Sequence, residues 1–138
     1  MQELGLGNSG SELGPAKEQL VRVSTDRVTY GQTRAVVVTV AGEIDLPTLD
    51  RFRGALAAGF GQLRDGEVLV IDLTEVRFIN STGLQALVEA AEAMQGRREP
   101  LRIVVDHARP VIHPLKITGL AEILALFDTV EQALQLPA

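Results

Sequence analysis

Runs of apolar, β-branched residues alternate along the chain with stretches whose apolar residues recur every three or four positions. The runs Arg34 to Val40 (RAVVVTV) and Glu67 to Leu73 (EVLVIDL) are apolar at most positions, which predicts strands buried on both faces of a sheet. Gly42 is expected to stop the first of these strands. Three further strands are predicted at Leu20 to Ser24 with an extension toward Tyr30, at Leu101 to Val105, and at Ile123 to Phe127.

Four helices are predicted between and after these strands. In the first helix Leu49, Phe52 and Leu56 are spaced three or four residues apart, so they share one face. Pro47 suits the first turn of that helix, and Asp45 is placed to accept hydrogen bonds from its free backbone N–H groups. The predicted helices cover Pro47 to Arg64, Ser81 to Arg97, Arg109 to Thr118, and Thr129 to Leu136.

The resulting order of elements, β-β-α-β-α-β-α-β-α, predicts an α/β fold in which helices pack on a β-sheet. The opening hairpin pairs antiparallel, so the sheet is expected to be mixed, and the strand-helix-strand crossovers are expected to be right-handed. A chain of 138 residues suits one domain. We assign this domain to residues 18–138 and interpret residues 1–17, which are rich in small and polar side chains, as a disordered tail.

Charge and composition exclude several classes of function. The net charge is −5 and the basic residues are scattered, so the basic stripe typical of a nucleic-acid-binding protein is missing. The sequence has no cysteine and only two histidines, His107 and His113, so neither a metal nor another cofactor is expected. No apolar run approaches the ~18 residues of a membrane span, and no secretion signal is recognisable, so a cytoplasmic protein without membrane contact is expected.

The most informative segment is Phe78 to Leu84 (FINSTGL), which follows a buried strand and begins a helix. Ligands and partners of open α/β sheets are met at the carboxyl ends of the strands, so this turn is expected at the functional edge. Capping alone could also explain its residues. Thr82 and Gln85 have the spacing of a capping box, and Ser81 or Asn80 could equally cap the helix.

Three motifs in order resemble the STAS family of anti-sigma factor antagonists. FINSTGL after a strand ending in Ile-Asp-Leu is similar to the family signature Asp-Ser-Ser/Thr-Gly-Leu. Gly42 to Asp45 (GEID) is similar to the family's Gly-Glu-Leu/Ile-Asp, and Ile117 to Leu120 (ITGL) to its Thr/Ser-Gly-Leu. The resemblance covers roughly residues 18 to 136.

The resemblance implies a switch between partners and no enzymatic activity in this chain. It implies binding to an anti-sigma factor, a serine kinase of the histidine-kinase-like ATPase type, which frees a sigma factor for transcription. The kinase would phosphorylate Ser81 and so end the complex, and a phosphatase would reset the switch. The implied partner-binding residues are Asp45, Asn80, Ser81, Thr82 and Gly83.

One residue departs from the family pattern, because Asn80 stands where the family has Asp. Asn keeps the shape and the capping oxygen but loses the charge, and we expect Ser81 still to accept phosphate. A second hypothesis is a constitutive STAS subunit of a stressosome-like or lipid-transport assembly. A small hydrolase has little support, because the sequence has no Cys and no G-x-S-x-G motif. Asp72 is expected to serve its strand end rather than chemistry.

Overall fold

The structure is a computed structural model that describes residues 21–97, 99, 101–106, 115, 119 and 124–135. The predicted tail, residues 1–17, lies outside the described residues, as does the helix predicted at Arg109 to Thr118 except for Leu115, which is helical and buried. The described elements are β1 (Val21–Tyr30), β2 (Thr33–Ile44), a 3₁₀ turn (Leu46–Thr48), α1 (Leu49–Gly61), β3 (Glu67–Ile79), α2 (Ser81–Gln95), β4 (Arg102–Val104), β5 (Ala125–Phe127) and α3 (Val130–Gln135).

The strands form one five-stranded sheet in the order β1-β2-β3-β4-β5. β1 and β2 pair antiparallel and are joined by a two-residue loop, in which Gly31 has a φ of 60° that glycine adopts without strain. All later neighbours pair parallel. The predicted mixed α/β fold is confirmed.

The two central strands are apolar on both sides because helices cover both faces of the sheet. Val36 and Val38 of β2 point toward α1 and α2, where Phe52 and Leu87 complete the larger core cluster. The alternate residues, such as Val37, point to the other face, where α3 contributes Ala133 and Leu134. Because both faces are buried, the sequences of these strands are continuously apolar and do not alternate between apolar and polar residues.

Two predicted strand ends were wrong, because β2 and β3 both run further than their apolar cores. β2 continues through Gly42, whose φ is 113°, to Ile44, so Gly42 does not stop it. β3 continues to Ile79, six residues past Leu73, where the predicted strand ended. The two strands stay paired over this extension. Its backbone N–H and C=O groups therefore have hydrogen-bond partners although many of its side chains are polar.

The extension of β3 contains two bulges. Its pairing with β2 passes from Thr39↔Asp72 to Ala41↔Glu75, and then from Gly42↔Val76 to Glu43↔Phe78, so β3 gains one residue at each step. Oδ1 of Asp72 accepts hydrogen bonds from the backbone N–H of Thr74 at 2.9 Å and from its hydroxyl at 2.7 Å. Asp72 therefore has the expected backbone role, but it stabilises a bulge rather than a strand end.

Candidate functional site

The carboxyl ends of β2 and β3 lie side by side and carry the predicted site residues. Ile44 and Ile79 are register partners, and the backbone N–H of Asn80 donates to the carbonyl of Ile44 at 2.9 Å. Asp45 and Asn80 are the next residues on these two strands. The structure thus brings together, on one edge of the sheet, two motifs that lie 35 positions apart in the sequence.

Asn80 is the residue that caps α2. Its backbone is extended (φ −91°, ψ −179°), and its Oδ1 accepts from the backbone N–H of Gly83 at 2.9 Å. The same oxygen accepts from the hydroxyl of Thr82 at 2.8 Å. Of the three caps that the sequence allowed, the structure selects Asn80, and the capping box of Thr82 with Gln85 does not form. The neutral amide at this position therefore performs the capping that an aspartate would perform.

Ser81 is the first residue of α2, and its side chain is exposed. Among the described residues nothing forms a hydrogen bond with its hydroxyl, since Asn80 has taken over the cap. The hydroxyl of the neighbouring Thr82 is half-buried and donates to Asn80. Of the two adjacent hydroxyl groups, that of Ser81 is the more exposed and has its proton unengaged among the described residues, whereas that of Thr82 donates to Asn80.

Gly83 explains how the first turn of α2 can approach the strand ends so closely. A Cβ atom at this position would lie 2.7 Å from Cγ2 of Ile44 and 2.7 Å from Cγ1 of Ile79, well inside van der Waals contact. Gly83 is buried. The absence of a side chain at Gly83 therefore lets the first turn of α2, with Ser81, sit against the ends of β2 and β3.

Asp45 precedes the 3₁₀ turn that leads into α1, and it is partly buried. Its backbone N–H donates to Oγ1 of Thr48 at 3.0 Å, and the Thr48 hydroxyl donates to the carbonyl of Glu43 at 2.7 Å. Thr48 is fully buried. This threonine, which sequence reasoning missed, fixes the backbone of Asp45. The Asp-x-x-Thr spacing was the signal that could have revealed it.

Two exposed apolar side chains near the site were also missed. Leu46 is 75% exposed and Phe78 is 50% exposed, whereas Ile79, which directly follows Phe78, is buried. The described cation nearest to them in sequence is Arg77, which lies 4.0 Å from the carboxylate of Glu43 in an exposed and therefore weak ion pair. The strand ends that lead to Ser81 thus carry two exposed apolar side chains, the Arg77–Glu43 pair and Asp45.

The buried charges of the described chain lie away from this edge. Glu67, at the start of β3, receives hydrogen bonds from Nε of Arg27 at 2.9 Å and from the backbone N–H of Arg64 at 2.8 Å. Burial by itself would raise the pKa of the Glu67 carboxyl, but these hydrogen bonds and the charges of Arg27 and Arg64 outweigh it and lower the pKa below its ordinary value. Glu67 therefore belongs to the packing of the opposite edge and not to the candidate site.

No group of three or more His, Cys, Asp or Glu side chains is arranged to hold a metal ion within the described ranges. None of the helices in that part of the chain is long and apolar enough to cross a membrane.

The fold and the site together define a mixed α/β domain of the kind found in anti-sigma factor antagonists. The sequence profile of the STAS domain family matches residues 26–133. The anti-sigma-B factor antagonists of Listeria monocytogenes and Listeria innocua are each 35% identical to this chain over 94 residues, which cover 68% of this chain and 80% of the relative. The chain belongs to the STAS domain family, and the resemblance predicted from its motifs is confirmed.

Solved structures agree with this assignment. An anti-sigma factor antagonist from Mycobacterium paratuberculosis superposes with a TM-score of 0.67 at 30% identity, covering 83% of this chain and 92% of that one. SpoIIAA of Bacillus in its phosphorylated form gives a TM-score of 0.56 at 16% identity, covering 83% of this chain and 97% of that one. At so low an identity the likeness to SpoIIAA shows the shared fold alone.

Proposed function

We propose that this chain is an anti-sigma factor antagonist whose binding is switched by phosphorylation of Ser81. The observation that carries the proposal is the free, exposed hydroxyl of Ser81 at the first position of α2, beside a threonine whose hydroxyl is already engaged. The similarity to anti-sigma-B factor antagonists supports the regulatory class. The chain acts as a binding partner and as the substrate of a kinase, not as an enzyme.

The position of Ser81 suits a phosphorylated state of the folded protein. Phosphorylation adds about −1.5 to −2 charges, and the start of a helix favours negative charge because its first backbone N–H groups are unpaired. Asn80 is neutral, so a phosphate on Ser81 has no carboxylate directly before it in the sequence. We therefore expect phosphorylation to leave the stability of the domain nearly unchanged and to act on binding.

The proposed partner is an anti-sigma factor of the histidine-kinase-like ATPase type, which binds the unmodified edge and then phosphorylates it. Asp45 follows the end of β2 and Ser81 begins α2 just after the end of β3, and both present polar groups to this partner, while Asn80, Thr82 and Gly83 hold α2 in place. Release of the partner follows from the cost of burying a phosphate in an interface with acidic and apolar surroundings. A phosphatase resets the switch.

Isothermal titration with a candidate anti-sigma factor kinase from the same organism, in the presence of ADP, tests the proposal. We expect the wild type and Ser81→Ala to bind alike and Ser81→Glu to bind at least a hundredfold more weakly, a difference of about 2.7 kcal/mol. Ser24→Glu is the matched control, because it adds the same charge at an exposed serine in β1. Mass spectrometry after incubation with the kinase and ATP should find the phosphate on Ser81.

The same experiment separates the proposal from constitutive assembly. If the wild type, Ser81→Ala and Ser81→Glu all bind alike, Ser81 is not a switch. The chain would then be a constitutive STAS subunit of a stressosome-like or lipid-transport assembly.

A further inference from the structure

Four large apolar side chains are exposed among the described residues, and they divide into two pairs. Tyr30 is 39% exposed and Phe60 is 36% exposed. They lie at the end of β1 and near the end of α1, on the edge of the sheet where β2 and β3 begin. Leu46 at 75% and Phe78 at 50% are more exposed, and they lie at the opposite edge, where β2 and β3 end.

Leu46 and Phe78 flank the segment that carries Ser81. Phe78 lies three residues before Ser81 and pairs in register with Glu43. Leu46 directly follows Asp45. The hydrogen bond from the N–H of Asn80 to the carbonyl of Ile44 joins the two strand ends between them. We call Leu46 and Phe78 the apolar edge.

Packing within the described chain does not require either side chain. Leu46 begins the 3₁₀ turn with three quarters of its surface in water, and the turn is held by Thr48 instead. Phe78 neighbours the buried Ile79 in β3 and therefore points to the other face of the sheet. On that face the cluster around α3 involves Val68 and Val70 and does not reach the extension of β3. Single exposed apolar residues are common, but two large ones beside a free hydroxyl call for a partner.

We propose that the apolar edge is the anchor by which the anti-sigma factor holds this chain, through an apolar pocket on the anti-sigma factor. This inference rests on the proposed function and names the surface that supplies the affinity. It also gives a physical reason for the switch. A phosphate on Ser81 would lie at the rim of an apolar contact, and Arg77, the nearby cation, already faces Glu43. Burying the phosphate at this rim would cost it hydration.

The test compares alanine variants of the two pairs by titration with the same candidate anti-sigma factor kinase. We expect Leu46→Ala and Phe78→Ala each to weaken binding at least tenfold, which corresponds to about 1.4 kcal/mol. Tyr30→Ala and Phe60→Ala are the matched controls and should change affinity less than twofold. Circular dichroism should show that all four variants are folded at the temperature of the titration, so that a loss of affinity reports on the contact and not on unfolding.

The outcomes distinguish this inference from the proposed function. If Ser81→Glu abolishes binding while Leu46→Ala and Phe78→Ala leave it within twofold of the wild type, the switch stands and the anchor is refuted. If the wild type does not bind the anti-sigma factor, both proposals fail. If the two variants bind normally but convert a dimer into a monomer in light-scattering measurements, a second copy covers the apolar edge and the anchor is likewise refuted.

Discussion

Replacing Gly83 with alanine tests whether close packing positions Ser81. The added Cβ would lie 2.7 Å from methyl or methylene carbons of both Ile44 and Ile79. Carbon atoms in contact prefer separations of about 3.5–4.0 Å, so one side must move by about 1 Å. Both isoleucines are buried and β-branched, which leaves them few alternative rotamers.

The expected loss of stability follows from two opposing terms. Overpacking of a well-packed core costs about 1–3 kcal/mol. Replacing a helical glycine with alanine stabilises the helix by up to about 1 kcal/mol, because alanine has the higher helix propensity. The net expectation for Gly83→Ala is a loss of about 1 kcal/mol, together with an outward shift of the first turn of α2.

Gly54→Ala in α1 supplies the matched control, because a Cβ there meets nothing within 4 Å. That variant should gain stability from helix propensity alone, by about 0.5–1 kcal/mol. Thermal unfolding measures the difference, and at about 4 °C per kcal/mol Gly83→Ala should melt roughly 6–8 °C below Gly54→Ala. A Gly83→Ala protein that melts at or above Gly54→Ala would show that the first turn of α2 is not held by this contact.

Two further predictions concern the cap and the buried carboxylate. Asn80→Ala removes the acceptor for the N–H of Gly83 and the hydroxyl of Thr82, and it should lower the free energy of unfolding by about 1–2 kcal/mol in a urea titration. Asn80→Asp keeps an acceptor oxygen and should stay near the wild type. An alanine variant as stable as the wild type would contradict the assignment of Asn80 as the cap. Because the pKa of Glu67 is lower in the folded protein than its ordinary value of 4.5, its stabilising contribution is present above that value and is lost as the pH falls through the folded pKa. Unfolding midpoints measured from neutral to acidic pH should therefore fall less steeply in Glu67→Gln than in the wild type, and parallel curves would refute this assignment.

The sequence predicted the parts of the fold that depend on local composition. The β-branched runs of β2 and β3 and the three-or-four spacing in α1 identify buried elements because each residue there meets the same kind of environment. The extensions beyond Val40 and Leu73 escaped prediction because they depend on pairing between strands. Residues such as Glu75 and Arg77 are strand residues only because β2 offers them backbone partners.

The candidate site likewise has features that the local sequence predicts and features that depend on the fold. FINSTGL located Ser81 at a helix start, and α2 begins there. The choice among three adjacent capping side chains depends on the backbone angles of Asn80, which composition does not determine. Nor could the sequence show that Phe78 is exposed while Ile79 is buried, because that difference is set by the register of a bulged strand.

The two bulges of β3 have a consequence for how this site can vary among related chains. β3 uses thirteen residues to run beside the eleven residues of β2 from Arg34 to Ile44, and the two surplus residues bring Asn80, which directly precedes Ser81, level with Asp45. Deleting a single residue between Leu73 and Phe78 would interchange the inward and outward positions that follow, so that a phenylalanine would enter the core and an isoleucine would leave it. Substitutions in this stretch are therefore easier to accommodate than changes of length. Chains whose strand ends are arranged in the same way should therefore share the number of residues between Asp72 and Ser81. The identity of those residues is expected to matter less.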